Sequence, residues 1–356
     1  MGQPDGADET AHARVTSYDV ARLAGVSQSA VSRAFRDGAS ISPDMRARIQ
    51  RAARELGYAP SNIARALITQ RSRLIGVVAT RNTARNNPDI LFHLGHQIQE
   101  AGNRMLVFTL PDTDSGEGIP DDLFAYHVDG VIAATSLPDE VLAACARRRI
   151  PVVLFNRTGP AASVSCDHAT GMRDLVSHLV RSGTRTPAFI AGPADAPVSV
   201  ERLNGARDAF AAHGIALDPV VHSDYSHEGG RAAAAQLLAI CRPDTIVCAN
   251  DTMALGVIDA CRHELGLRVP EDLGVTGFDN ISQSAWPSYA LTTVAQPFEQ
   301  LTRTAVRMLG ELVEGEAMPR ERRLMPARLV VRESVVGEGH SGPEAIPAAA
   351  QERNPP

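Results

Sequence analysis

The sequence predicts an α/β protein: a small N-terminal head of three short helices, then a larger core of parallel sheets with helices on both faces. Three observations carry this. Between Thr16 and Leu56 apolar residues recur at helical spacing and are interrupted by Gly25 and by Asp37-Gly38, with Gly57 as the final stop. From Leu74 onward short runs of branched aliphatic residues alternate with helical segments, the order from which parallel sheets are built. Charge divides at the same place. From Ala13 to Arg73 eleven arginines stand against Asp19, Asp37, Asp44 and Glu55, in a chain of 356 residues whose net charge is −6. A basic module on an acidic body is the footprint of an element that binds a polyanion.

In the head, Thr16 or Ser17 can cap a helix through Val20, Ala21 and Ala24, which Gly25 ends. Ser27 can cap a second, with Ala30, Val31, Ala34 and Phe35 as its apolar stripe. Ser42, Pro43 and Asp44 supply the cap, first-turn proline and acidic first turn of a third, running to Leu56. Only Gly25, Val26 and Ser27 separate the first two helices, which is the tight turn of a helix-turn-helix unit; the second is then the recognition helix. The segment Ser61–Leu67 is too short to be stable alone and reads as a hinge helix ordered by what it binds. Residues 1–14 and 338–356 are expected to be flexible, being too poor in apolar side chains to order themselves.

In the core, buried-strand runs are predicted at Leu74–Val78, Met105–Phe108, Gly130–Ile132, Pro151–Phe155, Pro187–Ala191, Thr245–Ala249 and Gly274–Gly277. That makes about seven strands, which fit two lobes better than one. The five cysteines, Cys145, Cys166, Cys241, Cys248 and Cys261, contain no C-x-x-C pair, which argues for reduced, buried thiols rather than disulfides or zinc. The chain contains no lysine, so Walker, Schiff-base and kinase lysine chemistry is excluded. His93 and His96 sit three apart on a predicted helix with no third ligand, so surface histidines are the simpler reading. No catalytic motif stands out, and neither metal nor cofactor is expected. No apolar stretch is long enough for a membrane span, and Met1–Arg14 lacks a signal-peptide core, so the protein is expected in the cytoplasm.

The segment Thr16–Arg33 (TSYDVARLAGVSQSAVSR), followed by SPD at Ser42–Asp44 and LGYAP at Leu56–Pro60, resembles the lactose-repressor (LacI/GalR) family of bacterial regulators. The resemblance continues through DGVI at Asp129–Ile132, VLFNR at Val153–Arg157, CDH at Cys166–His168, ANDTMALG at Ala249–Gly256, GFD at Gly277–Asp279 and LTTVAQ at Leu291–Gln296. It implies a helix-turn-helix domain at 15–60, a hinge helix and linker at 61–72, and a two-lobed core at 73–337, like periplasmic sugar-binding proteins. The N-terminal lobe would be about 73–166 and 297–324, the C-terminal lobe about 167–296 and 325–337.

On that resemblance the chain is a homodimeric regulator, mostly a repressor in this family, of a near-palindromic double-stranded operator. Arg33 is the natural bidentate partner for guanine, with Gln28 and Ser29 early on the same helix, while Ala30 could touch a thymine methyl. Thr16, Ser27 and Ser32 suit helix caps or phosphates. Leu67 matches the hinge wedge inserted into the minor groove, with Asn62 and Ala64 in the same DNA-binding segment. A small-molecule effector, sugar or sugar-acid-like, would lie at the strand ends between the lobes, held by Asn156, Arg157, Asn250, Asp251 and Asp279, joined by family position by Arg202, Tyr225 and Gln296. Asp89 follows Pro88 where relatives often carry aromatic residues, a departure from the family pattern, so the same sugars are not assumed for this chain. The rival reading, a transporter's solute-binding protein, shares the core but is disfavoured by the basic head and the lack of a signal peptide.

Overall fold

The computed structural model describes residues 15–35, 39–59, 71–81, 83, 88–110, 121–315 and 320–337. The flexible-end expectations and most of the predicted hinge, with Asn62, Ala64 and Leu67, lie outside the described residues. The chain separates into two compact units, 1–72 and 73–356.

The head holds α1 (Ser17–Ala24), α2 (Gln28–Ala34) and α3 (Pro43–Glu55). Thr16 donates from its backbone N–H and its Oγ1 to Asp19 at 3.0 and 2.7 Å, fixing the entry to α1. Gly25 leaves α1 at φ 63°, a left-handed conformation that a side chain would strain. Ser27 and Ser42 accept from Ala30 N and Met45 N, capping α2 and α3. Val20, Val31 and Ile49 pack together with the buried alanines, and Arg46 of α3 donates to the Ala34 carbonyl at the end of α2. Small residues let three short helices approach closely, and the arginine closes an otherwise open helix end.

The core has two sheets of six strands. The first lobe contains β1 (Leu74–Thr80), α4 (Pro88–Glu100), β2 (Arg104–Leu110), α5 (Asp121–Ala125), β3 (Gly130–Ala133), α6 (Asp139–Arg147), β4 (Val152–Phe155) and β5 (Ala162–Asp167). The second contains α7 (His168–Arg181), β6 (Pro187–Ala191), α8 (Pro197–Ala211), β7 (Val220–His222), α9 (His227–Ile240), β8 (Thr245–Cys248), α10 (Asp251–Ala260), β9 (Gly274–Asp279) and β10 (Thr292–Ala295). The chain then returns to the first sheet with α11 (Phe298–Val313) and β11 (Arg322–Pro326), and ends in the second with β12 (Arg328–Val330). The strand orders are β11-β5-β4-β3-β1-β2 and β12-β10-β9-β8-β6-β7. All neighbours are parallel except β10 and β12.

Both orders reverse direction beside the lobe's first strand, so each sheet has a switch point where the carboxyl ends of its strands open a crevice. The central strands are buried along their length, as sheets covered on both faces require.

Two expectations need correction. The core has more than seven strands, because β5, β7, β10, β11 and β12 lack a long apolar run of their own. The last passage between lobes falls at Ala327 rather than 324/325, since β11 stays paired with β5 through Pro326.

Candidate functional site

The carboxyl ends of β4, β9 and β10 bring together side chains that the sequence scatters over 140 positions. Asn156, in the left-handed region at φ 53°, follows β4; Asp279 ends β9 at φ 121°; Gln296 follows β10. Asn156 Nδ2 donates to Gln296 Oε1 at 2.8 Å, and Gln296 Nε2 donates to Asp279 Oδ1 at 2.6 Å. Arg202, buried on α8, donates through Nη2 to the same Asp279 oxygen at 2.9 Å and through Nη1 to the Ala249 carbonyl at 2.5 Å. Its guanidinium lies 4.0 Å from the Phe278 ring centroid, a cation–π contact that holds the fork flat. Non-glycine residues at positive φ are costly, and their concentration at these strand ends marks a constrained site.

Two further bonds close this chain into a ring. Arg202 Nε donates to His168 Nδ1 at 3.4 Å, and Cys166 N donates to Asn156 Oδ1 at 3.1 Å. Residues 166–168, where the backbone passes from the first lobe to the second, complete the circuit. Burial pushes the Asp279 carboxyl up, against the pull of Arg202. Burial also holds the His168 imidazole well below its usual range, reinforced by the charges of Arg202, Arg157 and Arg322. Burial pushes the Cys166 thiol up to about 12, leaving it no reactive thiolate near neutrality.

Tyr225, at φ 65°, lays its ring against Gly192, where a methyl group would overlap it. Burial raises its phenol. Arg157 is half-buried, and its charge is felt by both His168 and Tyr225. Asp89 is exposed in the first turn of α4 and shares no described bond with the ring.

Asn250 and Asp251 are at their expected strand end but turn inward. Asn250 caps α10 through Met253 N and donates to the Tyr225 carbonyl. Asp251, fully buried, accepts from Ile281 N, Ser284 Oγ and Thr293 Oγ1 at 2.9, 2.6 and 2.5 Å. Burial first, then Asp279, pushes its carboxyl up to about 6. A methyl on Gly277 would overlap Asp251, so glycine there is what lets the carboxylate close the loop after β9. Both residues therefore brace the site from behind. Sequence reasoning could not separate bracing from lining, because both place polar groups after an apolar run; His168 was visible only as part of a longer pattern.

On the head, Gln28, Ser29, Ser32 and Arg33 are exposed on α2, and Gln28 Nε2 reaches Ser17 Oγ at 3.2 Å. Thr16 and Ser27, also exposed, carry the caps described above. Ala30 is a correction: it is 4% exposed, within the head's core, and so is withdrawn from base contact.

A helix-turn-helix head followed by a two-lobed, periplasmic-binding-protein-like core with a polar ring at its switch points defines a DNA-binding regulator with a sensor domain. Residues 16–61 match the bacterial regulatory proteins of the lacI family, and residues 176–335 match the periplasmic binding protein-like domain. The chain is 32% identical to the HTH-type transcriptional regulator CelR of Thermobifida fusca, over 90% of this chain and 98% of the relative. It is 32% identical to the HTH-type transcriptional repressor CytR of Escherichia coli (strain K12), over 90% and 96%. Among solved structures, the lac repressor dimer bound to operator and the anti-inducer ONPF superposes with a TM-score of 0.83 at 30% identity, covering 91% of this chain and all of that one. A CelR–cellobiose complex gives 0.68 at 30% identity, covering 90% and 100%. The chain belongs to the lacI family of bacterial regulatory proteins and is a DNA-binding transcriptional regulator. Among the described residues no helix is long and apolar enough to cross a membrane.

Proposed function

We propose that this regulator represses transcription by binding a near-palindromic operator as a homodimer in the cytoplasm, and that a polyhydroxylated small molecule held at the polar ring changes its hold on DNA. The carrying observation is the unspent hydrogen-bonding capacity of that ring. Arg202 uses three of its five N–H groups, Asp279 has Oδ2 outside every described bond, and the Asn156 and Gln296 amides each retain one N–H. Alternating donors and acceptors beside the Tyr225 ring suit vicinal hydroxyls on an apolar sugar face, and the spare arginine N–H groups extend this to sugar acids. The cellobiose of the CelR complex is a ligand of that class. Arg157, Arg202, Tyr225, Asp279, Gln296 and Asn156 form the proposed contact set. Asp89 borders it, and Asn250 and Asp251 hold it in place.

The head is assigned 15–60, the hinge and linker 61–72, and the sensor core 73–337. Exposed Arg33, Gln28 and Ser29 read base edges; Thr16, Ser27 and Ser32 meet phosphates; Asn62, Ala64 and Leu67 enter the minor groove.

A thermal-shift screen of sugars, sugar acids and nucleosides on the purified chain, followed by operator titration with each hit, tests the reading. A hit raises the melting temperature and shifts the titration, since a ligand moves an equilibrium only by its differential affinity. Arg33→Ala is expected to weaken operator binding by about 1–3 kcal/mol and flatten discrimination at one symmetric position. Equal losses on operator and random DNA would reassign Arg33 to phosphate.

A further inference from the structure

His168 opens α7 directly after β5, at the first passage between the lobes, and it is 2% exposed. An arginine N–H can only donate, so Nδ1, facing Arg202 Nε, is the acceptor and the ring proton stands on Nε2. Among the described residues Nε2 has no partner. Phe278 packs beside the ring with centroids 5.4 Å apart. An apolar side chain would fill the same space without burying an unmet donor, and native interiors rarely keep such a donor without cause. The other nitrogen supplies the cause: it takes up the Arg202 Nε–H, while Asp279 and Ala249 each take an N–H of the two terminal nitrogens.

We infer that His168 is a positioning residue of the effector site, a neutral acceptor that orients Arg202 and ties it to the first passage between the lobes. This rests on the sensor reading of the ring and deepens it. A ligand that draws Arg202 toward itself pulls on His168, and through residues 166–168 on Asn156, so one arginine is coupled to both lobes. The tie is built from a single uncharged imidazole. The charges of Arg202 on α8, Arg157 after β4 and Arg322 on β11 oppose its protonation.

The test is nuclear magnetic resonance on the full, ligand-free chain labelled with 15N at histidine and arginine. The His168 ring is expected as the Nε2–H tautomer, and the Arg202 Nε–H as a signal slow to exchange with solvent. His168→Asn, whose carboxamide oxygen can still accept, is expected to keep that slow exchange. His168→Leu, with similar bulk and no acceptor, is expected to speed it by about tenfold or more while the fold persists by melting temperature. An Nδ1–H tautomer in the unsubstituted protein, or Arg202 exchange equally slow in the leucine variant, overturns the inference. The tautomer needs no variant, so a misfolded substitution does not remove the test. No effector is present, so a failed ligand screen rejects the sensor reading alone, whereas an Nδ1–H ring rejects only the role of His168.

Discussion

The two lobes have the same strand order around their switch points and contribute unequally to what lies between them. The second lobe supplies Arg202, Tyr225 and Asp279, and braces them with Asn250 and Asp251, both buried with their polar atoms engaged. The first supplies Asn156 and Arg157, and in the first turn of α4 an exposed Asp89. One lobe is pre-organised by a hydrogen-bonded interior, and the other offers a few groups on loops. Pre-organisation lowers the cost of ordering on binding, so in the proposed sensor the second lobe is the part expected to fix affinity and orientation. Loops tolerate change, so on the same proposal the first lobe is where ligand preference is expected to vary.

The largest effect that could break this contrast is at Arg202. Arg202→Ala leaves Asp279 buried without its cation, and is expected to lower stability by about 3–5 kcal/mol in denaturant titration. The folded fraction should bind operator within a few-fold of the parent and ignore a screened effector; wild-type ligand dependence in that variant would remove the second lobe from the site. Next is Asp251. Its folded pKa of about 6 lies above its ordinary 3.8, so the native state binds the proton more tightly. Stability from this group is then highest below about pH 4 and falls as pH rises to about 6, by roughly 1–3 kcal/mol. Asp251→Asn should flatten that part of a melting-temperature profile, and an unchanged slope would place the titration elsewhere.

A smaller loss is expected at Asn156, which tests the first lobe's share. Asn156→Gly keeps the left-handed backbone but gives up the bonds to Gln296 and Cys166 N, costing about 1–2 kcal/mol; Asn156→Ala should cost about 1 kcal/mol more for its φ. Equal losses would mean that backbone strain is unimportant there. The smallest is Asp89→Asn, which should leave stability within about 0.5 kcal/mol and change the ranking of hits in a thermal-shift screen. An unaltered ranking would take Asp89 out of ligand choice.

Much of this was legible in the sequence, for physical reasons. Caps at Ser27 and Ser42 and the stop at Gly25 are local chemistry, and the central strands announce themselves because burial on both faces demands unbroken apolar runs. β11 alternates exposed and half-buried residues at a sheet edge, so its sequence carries no such signal. The same limit applied at the site. Asn156 and Asp279 were found as polar residues after strands and Gln296 by family position, but the inward turn of Asp251 depends on Ser284 and Thr293, partners distant in sequence. Ala30 shows the reverse: helical spacing put it in the apolar stripe of α2, where it lies in the head's core, whereas the thymine-methyl contact taken from the resemblance does not fit its burial.

The chain passes between the lobes three times, after Asp167, after Ala295 and at Ala327, and β11 and β12, which flank the last passage, are the sheet neighbours of β5 and β10. Three adjacent covalent straps suppress sliding and twisting far more than bending about the line they define. The sensor therefore has essentially one soft degree of freedom. Agonists and antagonists of this chain should differ in how far they drive that single bend, and a molecule that stiffens it at an intermediate angle would act as a partial agonist.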